Sequence, residues 1–193
     1  MPTRAPPKAA SRHVALLRGI NVGGTRLLPM KRLAELCTAV GCGEVQTYIQ
    51  SGNVVFSASK PLVAKFPGVL AAAILQKFKM EVPVVVRSAE DLARVARNNP
   101  FLRKGIDPDW LHVAFLADAP TAEQVAALDP ARSPGDEWVV VERDIYLHLP
   151  KGAGQSKLTN QYLDSRLKTV STVRNWRTVL KLLELARSTE GEG

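Results

Sequence analysis

Apolar residues along this chain fall into short blocks separated by glycine, proline, asparagine and serine, and the spacing within each block predicts an element. Arg12 to Arg18 reads as a strand, with Val14-Ala15-Leu16-Leu17 as its continuous apolar centre. Met30, Leu33, Cys37 and Val40 recur at helical spacing behind Pro29, which suits a first helical position, so Pro29 to Val40 reads as a helix. Two strands, Glu44 to Gln50 and Asn53 to Ser57, form a hairpin joined at Ser51-Gly52, a two-residue turn of the kind that needs positive φ. A helical stretch from Pro61 to Phe78, interrupted at Pro67-Gly68, precedes a strand from Val82 to Arg87. Ser88 and Asp91 then carry a capping signature for a helix to Arg97, ended by Asn98-Asn99-Pro100.

The second half opens with His112-Val113-Ala114-Phe115-Leu116, close to His13-Val14-Ala15-Leu16-Leu17. Thr121 with Gln124 caps a short helix, Glu137 to Glu142 and Ile145 to Leu149 make a hairpin, and helices follow over Asn160 to Leu167 and Val173 to Arg187. The order predicts an α+β protein of two tandem, diverged ferredoxin-like halves of the βαββαβ type. Their sheets are mainly antiparallel with helices packed on one face, and the second half lacks a clear final strand. The expected divisions are a loose basic tail over 1–12, halves over 13–105 and 106–187, and a tail over 188–193.

Length and apolar content suffice for a substantial core, and no apolar run is long enough to span a bilayer. Cys37 and Cys42 have no further cysteine or histidine at ligand spacing, which argues against a disulfide framework or a metal site and for a cytoplasmic location. A net charge of +8 favours acidic or phosphorylated partners, although charge can also serve solubility alone, and its distribution is uneven. Between Lys151 and Lys181 seven basic residues face a single acid, Asp164.

Two polar motifs stand out against this frame. Arg18-Gly19-Ile20-Asn21-Val22-Gly23-Gly24 links the first strand to the first helix, where glycines let backbone N–H groups approach a ligand. Thr172-Val173-Arg174-Asn175-Trp176-Arg177-Thr178 is expected to open the last helix. A helix start repels cations, and the helices opening at Ser88 and Thr121 respect this with Glu90, Asp91 and Glu123. Lys31 and Arg32 after Pro29 depart from it, as a solvated face can; Arg174 and Arg177 depart from it too, and a bound anion would remove the conflict. Trp176, Val179, Leu180 and Leu183 read as that helix's buried stripe.

Familiar chemistries fit poorly. Gly19 to Gly24 has the outer spacing of a nucleotide phosphate loop, but Thr25-Arg26 stands where lysine and a hydroxyl residue belong. The dinucleotide fingerprint lacks its second glycine, and Gln50-Ser51-Gly52 lies in a hairpin, not at a nucleophile elbow. His13, His112 and His148 lie on strands without carboxylates at suggestive spacing, and read as structural or exposed. No acid, base or nucleophile stands out, so the sequence names neither a reaction nor a cofactor.

The segments Leu16 to Gly24, Tyr48 to Phe56 and Thr172 to Thr178 resemble, in order, the hallmark segments of a bacterial family catalogued as domain of unknown function 1697. That resemblance implies an α+β protein with ferredoxin-like parts and carries over no activity, cofactor or catalytic residue. Three readings stay open. The adopted one is a small phosphate- or carboxylate-bearing ligand held between the glycine-rich loop and the basic start of the last helix. Its residues would be Arg18, Gly19, Asn21, Gly23, Gly24, Gln50, Asn53, Lys157, Arg174, Asn175 and Arg177. The others are a nucleic-acid-binding module using the basic last third, and motifs that serve the fold alone.

Overall fold

Alternation along the first strand sorts its residues onto two faces, and the helices that follow cover one of them. In a computed structural model that describes Ser11–Ser188, the chain divides between Ala89 and Glu90 into two units. The first runs β1 (Ser11–Leu17), α1 (Met30–Ala39), β2 (Gly43–Tyr48), β3 (Asn53–Ala58), α2 (Lys60–Phe78) and β4 (Val84–Ser88). Its sheet has the order β2-β3-β1-β4, with every neighbouring pair antiparallel. Ala15 and Leu17 of β1, Val54 and Phe56 of β3, and Val84 of β4 meet Leu33 and Cys37 of α1 and Phe66, Leu70 and Ile74 of α2 in one core.

The second unit begins with α3 (Ala89–Asn98) and continues through β5 (Leu111–Leu116), α4 (Ala122–Ala126), β6 (Glu137–Val141), β7 (Asp144–His148), α5 (Asn160–Leu167), β8 (Ser171–Asn175) and α6 (Trp176–Arg187). Its sheet repeats the first unit's order as β6-β7-β5-β8, again antiparallel throughout. Ala114, Leu116, Ile145 and Leu147 pack with Leu158, Leu163 and Leu167. Among the described residues the architecture is thus α+β, with two four-stranded antiparallel sheets and six α-helices.

Four expectations change. The second half does have a final strand: Ser171–Asn175 is β8, paired with β5 from Leu116↔Ser171 to His112↔Asn175, so the last helix starts at Trp176 and not at Val173. The β-branched Thr172 and Val173 suit a strand buried on both sides better than a helix start. The helix over Lys60–Phe78 is unbroken at Pro67. An interior proline costs ~3 kcal/mol, but burying Phe66, Leu70 and Ile74 returns about 1.5–3 kcal/mol each. That helix is long and apolar enough by composition to cross a membrane, yet those three side chains lie in the first unit's core.

The first hairpin is closed by four residues, Ile49 to Gly52, with Ile49 and Gly52 at φ of 48° and 78°. Asn53 is wholly buried opposite Tyr48 and donates to the Tyr48 carbonyl at 3.2 Å and to Ser51 Oγ at 2.9 Å, which pulls Gln50 out of the strand. Finally, α3 joins the second unit, not the half ending at 105. The Arg94 side chain reaches Glu142 at 3.3 Å and the Tyr146 hydroxyl donates to the Val95 carbonyl at 3.3 Å, tying α3 to the hairpin of β6 and β7. The expected tails lie outside the described residues except for Ser11 and Arg12, which begin β1, and Ser188, which follows α6.

Candidate functional site

In the first unit, the glycine-rich segment folds into a small hairpin of its own. Asn21 donates its N–H to the Arg26 carbonyl at 3.1 Å, Val22 bridges Thr25, and Gly23 and Gly24 form the corner at φ of 59° and 73°. Two consecutive positive φ values define a mirror-image two-residue turn, which explains the glycine pair. Asn21 ties that turn to the unit: its Nδ2 donates to the carbonyls of Leu28 and Gln50, both at 2.9 Å, while its Oδ1 accepts the Leu28 N–H at 2.8 Å. The Arg26 Nε donates to the Gly19 carbonyl at 2.6 Å. Half-buried Arg18 donates its backbone N–H to the Pro83 carbonyl at 3.0 Å. Asn53 is committed to the hairpin described above, and the Gln50 carbonyl to Asn21.

On α1, Arg32 pairs with Glu35 at 2.8 Å and Lys31 is exposed, in keeping with a solvated face. The Arg32 guanidinium holds the Glu35 carboxyl below its ordinary value.

In the second unit the expected basic cluster separates into two environments. Arg174 is on β8, opposite Val113, and buried, so it is not a first-turn residue of the last helix. Its guanidinium donates to Thr172 Oγ1 at 2.8 Å and to the Val173 carbonyl at 2.9 Å, and burial brings its pKa down to about 10. Asn175 caps α6, its Oδ1 accepting the Thr178 N–H at 2.8 Å. Arg177 is in the first turn and forms a bidentate pair with Asp109, Nε to Oδ1 at 2.6 Å and Nη2 to Oδ2 at 2.9 Å. The acid missing from this helix start therefore arrives from a distant segment. Lys157 is exposed and anchored through its backbone N–H to Ser133 Oγ at 3.0 Å. Trp176, Val179, Leu182 and Leu183 are buried, whereas Leu180 is exposed, so the stripe runs through Leu182 instead.

The start of α6 opens onto a cavity of about 350 Å³ lined by Pro108, Asp109, His112, Gly152, Ala153, Asn175, Trp176 and Arg177. Its position follows from the fold. His112 and Asn175 are cross-strand partners on β5 and β8, and the turn over Pro108–Trp110 packs beside α6. His112 is buried, and its Nδ1 has no hydrogen-bond partner. Burial lowers its pKa, with the nearby Trp110 carbonyl acting in the opposite sense. His148 does have a carboxylate, its Nδ1 lying 2.9 Å from Glu137 Oε1, and this bond together with Lys104 lowers the Glu137 pKa.

Asp109 and His112 were not among the expected site residues. Asp107-Pro108-Asp109 does carry a local signal, since Asp107 Oδ1 accepts the Asp109 N–H at 2.9 Å to open the turn. Nothing near His112 in sequence marks it.

Comparison with known proteins bears on family and fold. A conserved bacterial protein of Streptococcus pneumoniae has a solved structure matching this one with a TM-score of 0.71 at 22% identity, covering 93% of this chain and 100% of that one. At that identity the likeness concerns the fold. No curated relative matches the chain. The family model described as protein of unknown function (DUF1697) matches residues 10–146, leaving β8 and α6 beyond its end. That match covers most of the sequence, including the glycine turn and the first hairpin, and the chain belongs to the DUF1697 family.

Proposed function

We propose that this protein binds a small molecule bearing a carboxylate or phosphate in the cavity at the start of α6. The observation that carries the reading is convergence: a helix N-terminus, an arginine fork and a buried histidine without a partner at Nδ1 line one cavity of about 350 Å³. First-turn N–H groups have no partner within a helix, and Asn175 occupies only that of Thr178. An entering anion would accept from the remaining donors and from the Arg177 fork in place of Asp109. The exchange costs little, because Arg177 and Asp109 are exposed at the surface and such pairs contribute about 0–1 kcal/mol.

The reading concerns the second unit alone. In the first unit the polar side chains of Asn21 and Asn53 are taken up by turns, which supports a structural role for them. Charge placement also favours a small ligand over nucleic acid. Of the seven basic residues between Lys151 and Lys181, Arg174 is buried, Arg177 and Lys181 are ion-paired, and Arg166 lies over the Tyr162 ring. We further propose that each unit is ferredoxin-like, on the βαββαβ order and the matching strand arrangement.

Titration of the labelled full-length protein with inorganic sulfate, inorganic phosphate and citrate, followed by amide chemical shifts, tests the site. Saturable shifts are expected at Asp109, His112, Gly152 and Trp176 to Arg177. Arg177→Ala should abolish them and Asp109→Asn should tighten binding several-fold. Shifts absent for all three anions, or unchanged in Arg177→Ala, would refute the proposal.

A further inference from the structure

His112 is the one feature of this cavity that capping and ion pairing leave unexplained. It is 9% exposed, faces Leu147 of β7 and Asn175 of β8, and its Nδ1 has no partner. The first unit supplies an internal control. His13 holds the same place on β1, paired with Ser88 of β4 as His112 is paired with Asn175 of β8. There the ring is accommodated: its Nδ1 lies 2.8 Å from the Ser11 carbonyl two residues earlier, and the ring packs on Phe56. In the second unit the corresponding carbonyl, that of Trp110, already receives the Leu149 N–H at 2.8 Å; it lies near enough to favour the charged ring, but His112 Nδ1 forms no well-aligned hydrogen bond like that of His13. The fold does not demand an orphaned nitrogen at this position.

Charge in the cavity suggests what the nitrogen is for. The charged side chains that line the cavity with His112 are Asp109 ahead of β5 and Arg177 of α6, and Lys151 is the chain neighbour of the lining Gly152; on β7 and β8 the other groups that carry charge near neutrality are Asp144, His148 and Arg174, none of which lines it. β7 and β8 contribute the uncharged Leu147 and Asn175. Without a ligand, Asp109 and Arg177 neutralise one another and a neutral imidazole suits its buried position. When an anion takes the arginine, the Asp109 carboxylate is released into the same space, and two negative groups then share one guanidinium. A second cation would restore the balance, and His112 lines the cavity where it is needed.

We propose that the cavity binds its anion together with one proton, His112 passing from imidazole to imidazolium as the anion enters. The proton comes from solvent and no bond other than N–H is formed. The inference rests on the anion-binding reading above and adds its regulation: affinity rises as pH falls. Between the free and bound titration midpoints of His112, one proton per ligand corresponds to about tenfold in Kd per pH unit. Burial, which lowers the free histidine's midpoint, puts the steep region near and below neutrality.

Sulfate is the probe, because its own charge is constant over this range. Calorimetry of sulfate binding to the full-length protein at several pH values between about 5 and 8, in two buffers of different ionisation enthalpy at each, counts the protons. Imidazole signals of the three histidines, recorded with and without sulfate, identify the group. Proton uptake approaching one per sulfate is expected at pH values between the free and bound midpoints, with the His112 midpoint rising on binding. In His112→Gln the affinity should no longer rise as pH falls. Sulfate binding without proton uptake, or with a stationary His112 midpoint in the wild type, would overturn the proton coupling while leaving the anion site intact. No sulfate binding at any pH between about 5 and 8 would overturn the anion site and this inference with it.

Discussion

Replacing Gly52 with alanine separates what the glycines do for the fold from what they do for a ligand. Gly52 closes the loop before β3 at φ of 78°, and a Cβ there would lie 2.8 Å from the Leu17 Cβ and 2.9 Å from the Ile20 Cδ1. Both neighbours are buried, and the Leu17 N–H bonds the Gly52 carbonyl at 2.8 Å, so neither side can easily give way. A left-handed backbone costs an L-residue ~1–2 kcal/mol, and forcing extra volume into a packed core costs ~1–3 kcal/mol. Gly52→Ala should therefore destabilise by about 2–5 kcal/mol, a large share of the stability of a small domain.

Gly23→Ala is the matched comparison. Gly23 has φ of 59° but nothing within 4 Å of its added Cβ, so only the backbone penalty of ~1 kcal/mol applies. Urea unfolding followed by far-ultraviolet circular dichroism, with midpoints compared at a common slope, reads both values. A Gly52→Ala protein within 1 kcal/mol of wild type, or a Gly23→Ala protein as damaged as Gly52→Ala, would refute the reasoning from backbone and packing.

Asn53→Ala should cost about 1–3 kcal/mol in the same assay, because it strips the Tyr48 carbonyl and Ser51 Oγ of a donor at a wholly buried position; an unchanged midpoint would show that the loop closes without it. Burial, with a smaller contribution from neighbouring Cys42, pushes the Cys37 thiol from 9.0 up to about 12, so the folded state holds its proton where the unfolded state releases it. That stabilisation is complete below pH ~9 and fades as pH climbs towards 12, at up to ~1.4 kcal/mol per pH unit. Urea midpoints at mildly and strongly alkaline pH should diverge less in Cys37→Ala than in wild type, and a native-state thiol reagent should leave Cys37 unmodified; equal divergence or prompt reaction would contradict its burial.

What was legible in the sequence was mostly local. The span of α5, the capping box of Thr121 with Gln124, and the β6–β7 hairpin all follow from spacing and turn chemistry within a few residues. β8 does not show in the sequence because a strand buried on both sides loses the alternation that marks a strand, and the helical spacing behind it extends back into Val173. Ile49-Gln50 reads as strand in the sequence because the Asn21 side chain that holds the Gln50 carbonyl comes from another loop. The site suffered most from distance. Arg177 was visible as an oddity, but its partner Asp109 stands 68 residues away, and His112 is distinguished only by an environment that several segments build.

The two units also explain why an anion would exchange at one helix start and not at the other. β4 leads into α3 through Val86-Arg87-Ser88, and β8 into α6 through Val173-Arg174-Asn175, with Arg87 opposite Val14 and Arg174 opposite Val113. The two strand–helix junctions are built alike up to the first turn. α3 then carries its own acids, Glu90 and Asp91, and Asp91 is held by Arg94 at 3.0 Å and Arg143 at 3.7 Å. An acid that is part of the helix cannot leave its N-terminus without unwinding it. α6 has no acid in its first turn and takes Asp109 from the segment ahead of β5. A carboxylate on a neighbouring segment can release the arginine while the helix, its Asn175 cap and the buried Trp176 stay in place, and this separation of the acid from the helix is what would let an anion exchange at the start of α6.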